Sequence, residues 1–506
     1  MKELTYKSTR GETQPALSAE AIVRGLAADG GLFVPAVFPA PVADLAAWTG
    51  LTYQELAWRI MQPFLPDFSA EELQGCLASA YDAKFDTPLI APLVSVADVY
   101  FLELFHGPTF AFKDMALSIL PHLLKKATEK LGLDGEVIIL TATSGDTGKA
   151  ALEGFAGVPG TKIIVFFPEY GVSEVQKRQM ITQQGENTYV IGIKGNFDDA
   201  QSGVKAIFAD TELRALASRK KKLFSSANSI NIGRLIPQVV YYFFAYLQMV
   251  ASGALRLGEE VNFAVPTGNF GNILAGWYAK KMGLPVGKLL CAANENKVLA
   301  DFLATGVYDK NRRFITTMSP SMDILVSSNL ERLLYEASGE EGTKTRELMR
   351  QLDTTGRYEI GAAAQGVFRS LVGGHASETE TAQAIHKVYT SSAYLMDPHT
   401  AVAYAVWQKY RRETSDQTPT IIVATASPYK FPRDVLQSIE GRQREEDDFS
   451  LINELGRLTG TVVPPGVRDL ASRPIRHRTV CRKEEMRAQV SKILHDSSDL
   501  RGIEAL

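Results

Sequence analysis

At 506 residues with a formal net charge of −3, the chain is long enough for two or three domains and carries no global field that would draw nucleic acid or an anionic membrane. Apolar residues make up 45% and charged residues 22%, the proportions of an ordinary soluble globular protein. Cys76, Cys291 and Cys481 lie far apart, and the seven histidines form no HxxxH or HxH pair, so neither a disulfide framework nor a metal site is expected.

The first 98 residues mix proline-rich turns with short helical patterns. The start lacks an apolar signal core, which leads us to expect a cytoplasmic protein. Tyr6–Gly11 is polar and has no assignment from physics alone. Gly30–Pro35 reads as a turn into a short apolar edge, and Tyr53–Phe64 and Ala70–Tyr81 as amphipathic helices. From Val99 strand and helix alternate. Tyr100–Phe105, Glu136–Thr143, Thr161–Phe167 and Thr188–Ile193 are strand candidates, with helices through Lys130, over Lys149–Phe155, over Glu174–Gln184 and over Asp198–Asp210. Continuous apolar runs such as Glu136–Thr143 belong to parallel strands covered on both faces, so the class is α/β. The basic run Arg219–Lys222 reads as a solvated loop.

Leu235–Ala251 is the most apolar stretch. It contains Pro237, two glutamines and three tyrosines and falls short of the ~20 residues a membrane span needs, so a buried helix is expected. Val261–Val265, Leu289–Ala293 and Thr420–Ala424 are further strands, and Ile273–Met282 a further helix. Residues 337–380 read as an insertion, and the chain from about 440 as a charged, packed tail.

Four stretches carry chemistry. His106–Asp114 (HGPTFAFKD) ends a turn with Lys113 among apolar neighbours; burial disfavours its charged form, and a neutral amine attacks carbonyls. A lysine that snorkels to solvent from a helix start fits the run equally well. Gly268, Asn269, Phe270, Gly271 and Asn272 follow a strand and open a helix. They lack the lysine and hydroxyl of a nucleotide-triphosphate loop and suit one phosphate monoester, or else a plain capped turn. Ser144-Gly145-Asp146-Thr147-Gly148 offers hydroxyl and backbone donors for a carboxylate, and is also a good N-cap sequence. Asn228-Ser229-Ile230-Asn231 with Arg234 gathers amides, a hydroxyl and a guanidinium at a helix start; a capped helix with a surface arginine is the plainer reading. Together they suggest three anionic groups around a lysine. Pyridoxal 5'-phosphate (PLP) would supply one phosphate and an aldehyde, and an amino acid bearing a phosphate would supply the rest.

These residues resemble the threonine synthase family. HGPTFAFKD (106–114), SGDTG (144–148), NSIN..R (228–234), PTGNFGN (266–272), DPHTA (397–401) and ATASPYKFP (424–432) occur in the family's order, with YKSTRG (6–11) and GGLFVP (30–35) ahead of them. The likeness covers most of the chain to about residue 435 and is to the longer, microbial and fungal-type branch. It implies fold type II of the PLP enzymes (tryptophan synthase β-like), with two α/β domains of parallel or mixed sheet and extra terminal elements. The expected division is an N-terminal segment (1–98), a smaller domain with the lysine and SGDTG (99–225), a larger PLP-binding domain (226–435) and a tail (436–506).

The implied reaction is conversion of O-phospho-L-homoserine and water to L-threonine and phosphate, by a monomer or homodimer. By position, Lys113 would bond the cofactor covalently, and Gly268, Asn269, Phe270, Gly271 and Asn272 would cradle its phosphate. The Thr425 hydroxyl would meet the pyridine nitrogen without holding it protonated. Ser144, Gly145 and Thr147 would hold the substrate carboxylate, and Asn228, Ser229 and Arg234 its phosphate. Asp146 stands where many fold type II relatives have an Asn that bonds the cofactor's phenolic oxygen. An ionised Asp cannot donate that bond, so Asp146 either contacts the cofactor in another way or turns away to cap its helix. His106 and His399 sit in family motifs without an assigned role. A phospholyase releasing 2-oxobutyrate from the same substrate and a non-catalytic phospholigand-binding protein are the alternatives. Threonine dehydratase and cysteine synthase need no second anion site at Asn228 and Arg234.

Overall fold

The computed structural model describes residues 4–12, 14–143, 145–169, 172–361 and 366–495. Its frame is two open sheets. The larger has the strand order Leu371–His375, Val286–Ala293, Val261–Pro266, Thr420–Ala424, Val99–Glu103 and Leu93–Val96; all pairs are parallel except the last. The smaller is parallel throughout, in the order Thr479–Cys481, Thr188–Ile193, Thr161–Pro168, Glu136–Ala142 and Lys222–Ser225. Val261–Pro266, Thr420–Ala424 and Thr161–Pro168 are buried at every position, because helices cover both faces.

The sheets divide the chain differently from the expected boundaries. Val99–Glu103, assigned above to the smaller unit, pairs with Thr420–Ala424 in the larger sheet. The expected insertion is part of the frame too, since Leu371–His375 closes the larger sheet beside Val286–Ala293. Two glycines and a histidine in five residues hid that edge strand. The tail returns to the smaller sheet through Thr479–Cys481, and its helix Met486–His495 buries Met486, Val490, Ile493 and Leu494 there.

The apolar stretch forms one helix, Ile232–Ala251, enclosed almost all round by the largest core. No described helix is long and apolar enough to cross a membrane. Tyr53–Met61 starts on a Thr52/Glu55 capping box, and Pro63 turns its expected continuation into a short 3-10 turn, Gln62–Phe64. The unassigned Tyr6–Gly11 stretch ties the N-terminal segment down. Tyr6 donates to the Phe64 carbonyl, while Thr9 Oγ1 and both ends of the Arg10 guanidinium bind Glu331 at 2.6, 2.9 and 2.8 Å.

Candidate active site

Lys113 ends the turn that leaves Val99–Glu103 and stands at the N-terminus of the short helix Asp114–Leu117. Two features shape that turn. Asp114 accepts hydrogen bonds from the Thr109 N–H (2.8 Å) and hydroxyl (2.6 Å), and Gly107 lacks a side chain because a Cβ would lie 2.6 Å from Asp114. The turn is also stitched to the end of Thr420–Ala424. Ala111 bridges Ala426, the Phe112 N–H donates to the Thr425 carbonyl at 2.8 Å, and the Ser427 N–H donates to the Phe110 carbonyl at 3.0 Å. Lys113 and Thr425 therefore face the same space.

That space is a cavity of about 1040 Å³ between the two sheets. It brings together Lys113, Thr147, Asn228, Ser229, Arg234, the whole run Gly268–Asn272 and Thr425. Gly145 and Asp146 do not line it, and Ser144 lies outside the described residues. Gly145 is corrected from ligand donor to turn residue. Its N–H is donated to Thr143 Oγ1 at 3.0 Å, its φ is +136°, and a Cβ there would strike the Gln176 amide at 2.6 Å.

The Gly268–Asn272 loop joins Val261–Pro266 to the helix Gly271–Lys281, with Phe270 in the left-handed region at φ 63°. The Asn272 Oδ1 accepts the hydroxyls of Tyr241 (2.7 Å) and Tyr242 (2.8 Å) from the long helix, while its buried Nδ2 has no partner among the described residues. Gly268 passes so close to Ser321 that a Cβ would sit 2.8 Å from its carbonyl. The Asn269 carbonyl is held by Asn329 through N–H and side-chain amide, at 3.1 and 3.0 Å. A helix start with free N–H groups and an unsatisfied amide donor is built to take an anion.

Arg234 is the second anion-seeking group. It is 2% exposed, donates Nη1 to the Ala227 carbonyl at 2.5 Å, and among the described residues has no partner for Nε and no carboxylate in ion-pair range. Burial pulls its pKa down to about 10. The plainer reading, a surface arginine, does not hold. Asn231 caps the helix by accepting the Gly233 N–H and donates to the Ile22 and Ser226 carbonyls, so it builds the loop. Arg332 fixes the loop from behind, with Nη2 on the Ile230 carbonyl at 2.6 Å and Nε on the Phe33 carbonyl at 3.0 Å.

Lys113 keeps 12% of its side-chain surface. Burial lowers its amine to about 8; Asp146 and Asp114 oppose this, and Lys430 and Arg234 reinforce it. Asp146 does not cap its helix, Asp146–Phe155, which has no side-chain cap. It turns inward, buried, toward Lys113, Lys430, Gln176 and Ser321. Burial alone would raise its carboxyl, but Lys430 and Lys113 outweigh that and hold it far below the usual carboxylate range.

Lys430 and Ser321 are site residues that the sequence reading missed. Lys430 carries the signal that singled out Lys113, a lysine inside an apolar run just past a strand. Ser321 has no such signal, because it lies in an irregular stretch far from any motif. His399 gains a place through it: His399 Nε2 accepts the Ser321 N–H at 3.1 Å, and His399 Nδ1 contacts Asp397 Oδ1 at 2.8 Å. The tautomer follows, with the proton on Nδ1. The other histidine, His106, lies outside the cavity between Asp86 and Glu103.

An amine of lowered pKa that shares a cavity with a helix start, where the buried Asn272 Nδ2 has no partner among the described residues, fits a phosphorylated aldehyde. Known proteins agree with this chemistry. Residues 5–81 match the family model "Threonine synthase N terminus", residues 82–426 "Pyridoxal-phosphate dependent enzyme" and residues 400–491 "Threonine synthase, C-terminal". The threonine synthase of Pseudomonas aeruginosa is 41% identical over 485 residues, 92% of this chain and 99% of that protein. Human threonine synthase-like 1 is 40% identical over 461 residues, covering 88% of this chain but 61% of that longer protein. Among solved structures, PLP-bound threonine synthase from Brucella melitensis superposes with a TM-score of 0.85 at 37% identity, covering 97% of this chain and 100% of that one. Yeast threonine synthase gives 0.87 at 32% identity, covering 98% of each. Matches that run from residue 5 to residue 491 show that the chain belongs to the threonine synthase family.

Proposed function

We propose that the chain converts O-phospho-L-homoserine and water to L-threonine and phosphate with PLP as cofactor, in the cytoplasm. The observation that carries the reading is Arg234. A buried guanidinium with no carboxylate partner among the described residues, in the same cavity as Lys113 and the Gly268–Asn272 loop, supplies a second anion site that a substrate with only a carboxylate would not need.

The residues divide the work by position. Lys113 would hold the cofactor through its aldehyde, Gly268, Asn269, Phe270, Gly271 and Asn272 would take its phosphate on the helix start, and Thr425 would offer a hydroxyl to its ring. Thr147 would hold the substrate carboxylate at the start of the helix Asp146–Phe155, and Ser144, outside the described residues, is assigned to the same group by its place in the sequence alone. Asn228, Ser229 and Arg234 hold the substrate phosphate. When bound, PLP supplies the electron sink that acidifies the carbons next to the amino group. Lys113, with its amine drawn to about 8, is partly neutral at physiological pH and can move the Cα proton.

The test is to incubate the full chain with O-phospho-L-homoserine and separate the products. Threonine and phosphate in equal amounts are expected; 2-oxobutyrate with ammonia and phosphate would make the protein a phospholyase instead. Lys113→Ala is expected to abolish turnover and to leave no lysine that borohydride can fix to the cofactor. A borohydride-fixed lysine elsewhere in that variant would sink the assignment.

A further inference from the structure

Asp146 shares its two oxygens between two lysines unequally. Oδ1 receives Lys430 Nζ at 2.5 Å and Gln176 Nε2 at 2.9 Å. Oδ2 receives the Ser321 hydroxyl at 3.0 Å, and Lys113 Nζ stands 3.8 Å away, beyond hydrogen-bond distance. Lys430 is fully buried, and its other contact is the Thr109 carbonyl at 3.0 Å, inside the lysine turn. Two amines thus face one buried carboxylate. One carboxylate compensates one ammonium, and the close, enclosed contact goes to Lys430.

We propose that Lys430 is a positioning residue for the covalent lysine: its side chain takes the hydrogen-bonding place on Asp146, so that Lys113 stands off the carboxylate at 3.8 Å without a hydrogen bond to it and presents its amine to the cofactor. This rests on the assignment of Lys113 given under the proposed function. The bond-forming step requires it. Lys113 Nζ must use its lone pair to bond the aldehyde carbon and must lose both hydrogens, which leave with the aldehyde oxygen as one water. An ammonium locked against Asp146 has no lone pair to use. The other charges facing Lys113 are Arg234 from the long helix and Asp114 from its own helix. Asp114 is already bound to Thr109. His399 also faces Asp146, through space from the helix Pro398–Thr414.

The proposal separates from a purely structural role by sign. Apoprotein is mixed with pyridoxal phosphate across a pH series, trapped with borohydride, and the modified Lys113 peptide is quantified by mass spectrometry. Lys430→Met leaves Lys113 as the only lysine facing Asp146, so the midpoint pH for trapping rises by about 1 to 3 units. Asp146→Asn leaves Lys113 among cations and the midpoint falls. Lys430→Arg keeps the parent midpoint. Lys430→Met that lowers trapping at every pH without moving the midpoint would overturn the proposal. If Lys430→Met alone does not fold, Asp146→Asn and the double variant, which removes both partners of the buried pair, decide the matter: Asp146→Asn lowers the midpoint and the double variant restores it to near the parent value, and an Asp146→Asn midpoint at or above the parent value, or a double variant that stays as low as Asp146→Asn, overturns the proposal. Absence of trapping at Lys113 in the parent protein would overturn the assignment of Lys113, whereas trapping there without opposed shifts overturns the role of Lys430 alone.

Discussion

His106 shows how a residue outside the cavity serves it. Its ring lies between Asp86 Oδ1 at 2.5 Å and Glu103 Oε2 at 2.9 Å, and its carbonyl accepts the Asp86 N–H, at the point where the chain leaves the strand for the lysine turn. Burial would lower its pKa, but the two carboxylates outweigh burial and raise it above the ordinary 6.5. A histidine held charged in this way adds stability that is fully present below about pH 6.5 and is lost as pH rises through the higher folded value. His106→Gln is therefore expected to lose more stability at pH 5.5 than at pH 8.5, measured by denaturant unfolding at both. An equal loss at the two pH values would contradict the ion-pair account. Residues such as Lys113 and Arg234 were legible because type, spacing and turn chemistry coincide in one short run. Lys430 was equally legible and passed over, since one lysine already answered the chemistry. Asp146 was not legible: its direction depends on Gln176, Ser321 and Lys430, which come from three distant segments.

At the scale of elements, the helices that carry Lys113 and Asp146 touch backbone to side. A Cβ on Gly154 would lie 2.2 Å from the Leu117 carbonyl, so glycine is what lets Asp146–Phe155 lie against Asp114–Leu117. Gly154→Ala is expected to cost about 1–3 kcal/mol in unfolding free energy and to weaken cofactor retention, because the contact is with backbone that cannot rotate away. Unfolding and PLP titration of the variant check this; unchanged values for both would refute it. The long buried strands were readable as elements because apolar runs bounded by turns have few other solutions. Lys222–Ser225 was not. It opens with the last residue of a basic run, which reads as solvent-facing, yet Lys222 pairs with Glu136 at 2.9 Å across the sheet edge.

At the scale of the molecule, the N-terminal segment braces the loops around the cavity and the C-terminal segment extends the smaller sheet. Thr9 and Arg10 hold Glu331, whose neighbour Arg332 holds the Ile230 carbonyl and Asn329, and Asn329 holds Asn269. The N-terminal segment therefore reaches both the Ile230 and the Asn269 loops through one helix, Leu330–Ala337, and its N-cap Asn329. The C-terminal segment covers the edge strand Thr188–Ile193 of the smaller sheet. Removing residues 476–506 is expected to speed amide exchange in Thr188–Ile193 while Val261–Pro266 keeps its protection, read by hydrogen exchange with mass spectrometry. Equal exposure of both strands would mean that the tail stabilises the whole fold rather than one sheet.

The bridge between the lysine turn and the end of Thr420–Ala424 also sets an order in time. Lys430 and Thr109, which it holds, are separated by 321 residues of chain. Synthesis delivers Lys113 early and its anchors late, and closing so long a loop carries an entropic cost that only the assembled larger sheet repays. Until residues near Ala426 have joined that sheet, the turn has no partner strand and the lysine no fixed direction. The buried setting of Lys113 is thus a property of the closed fold and not of the local HGPTFAFKD run.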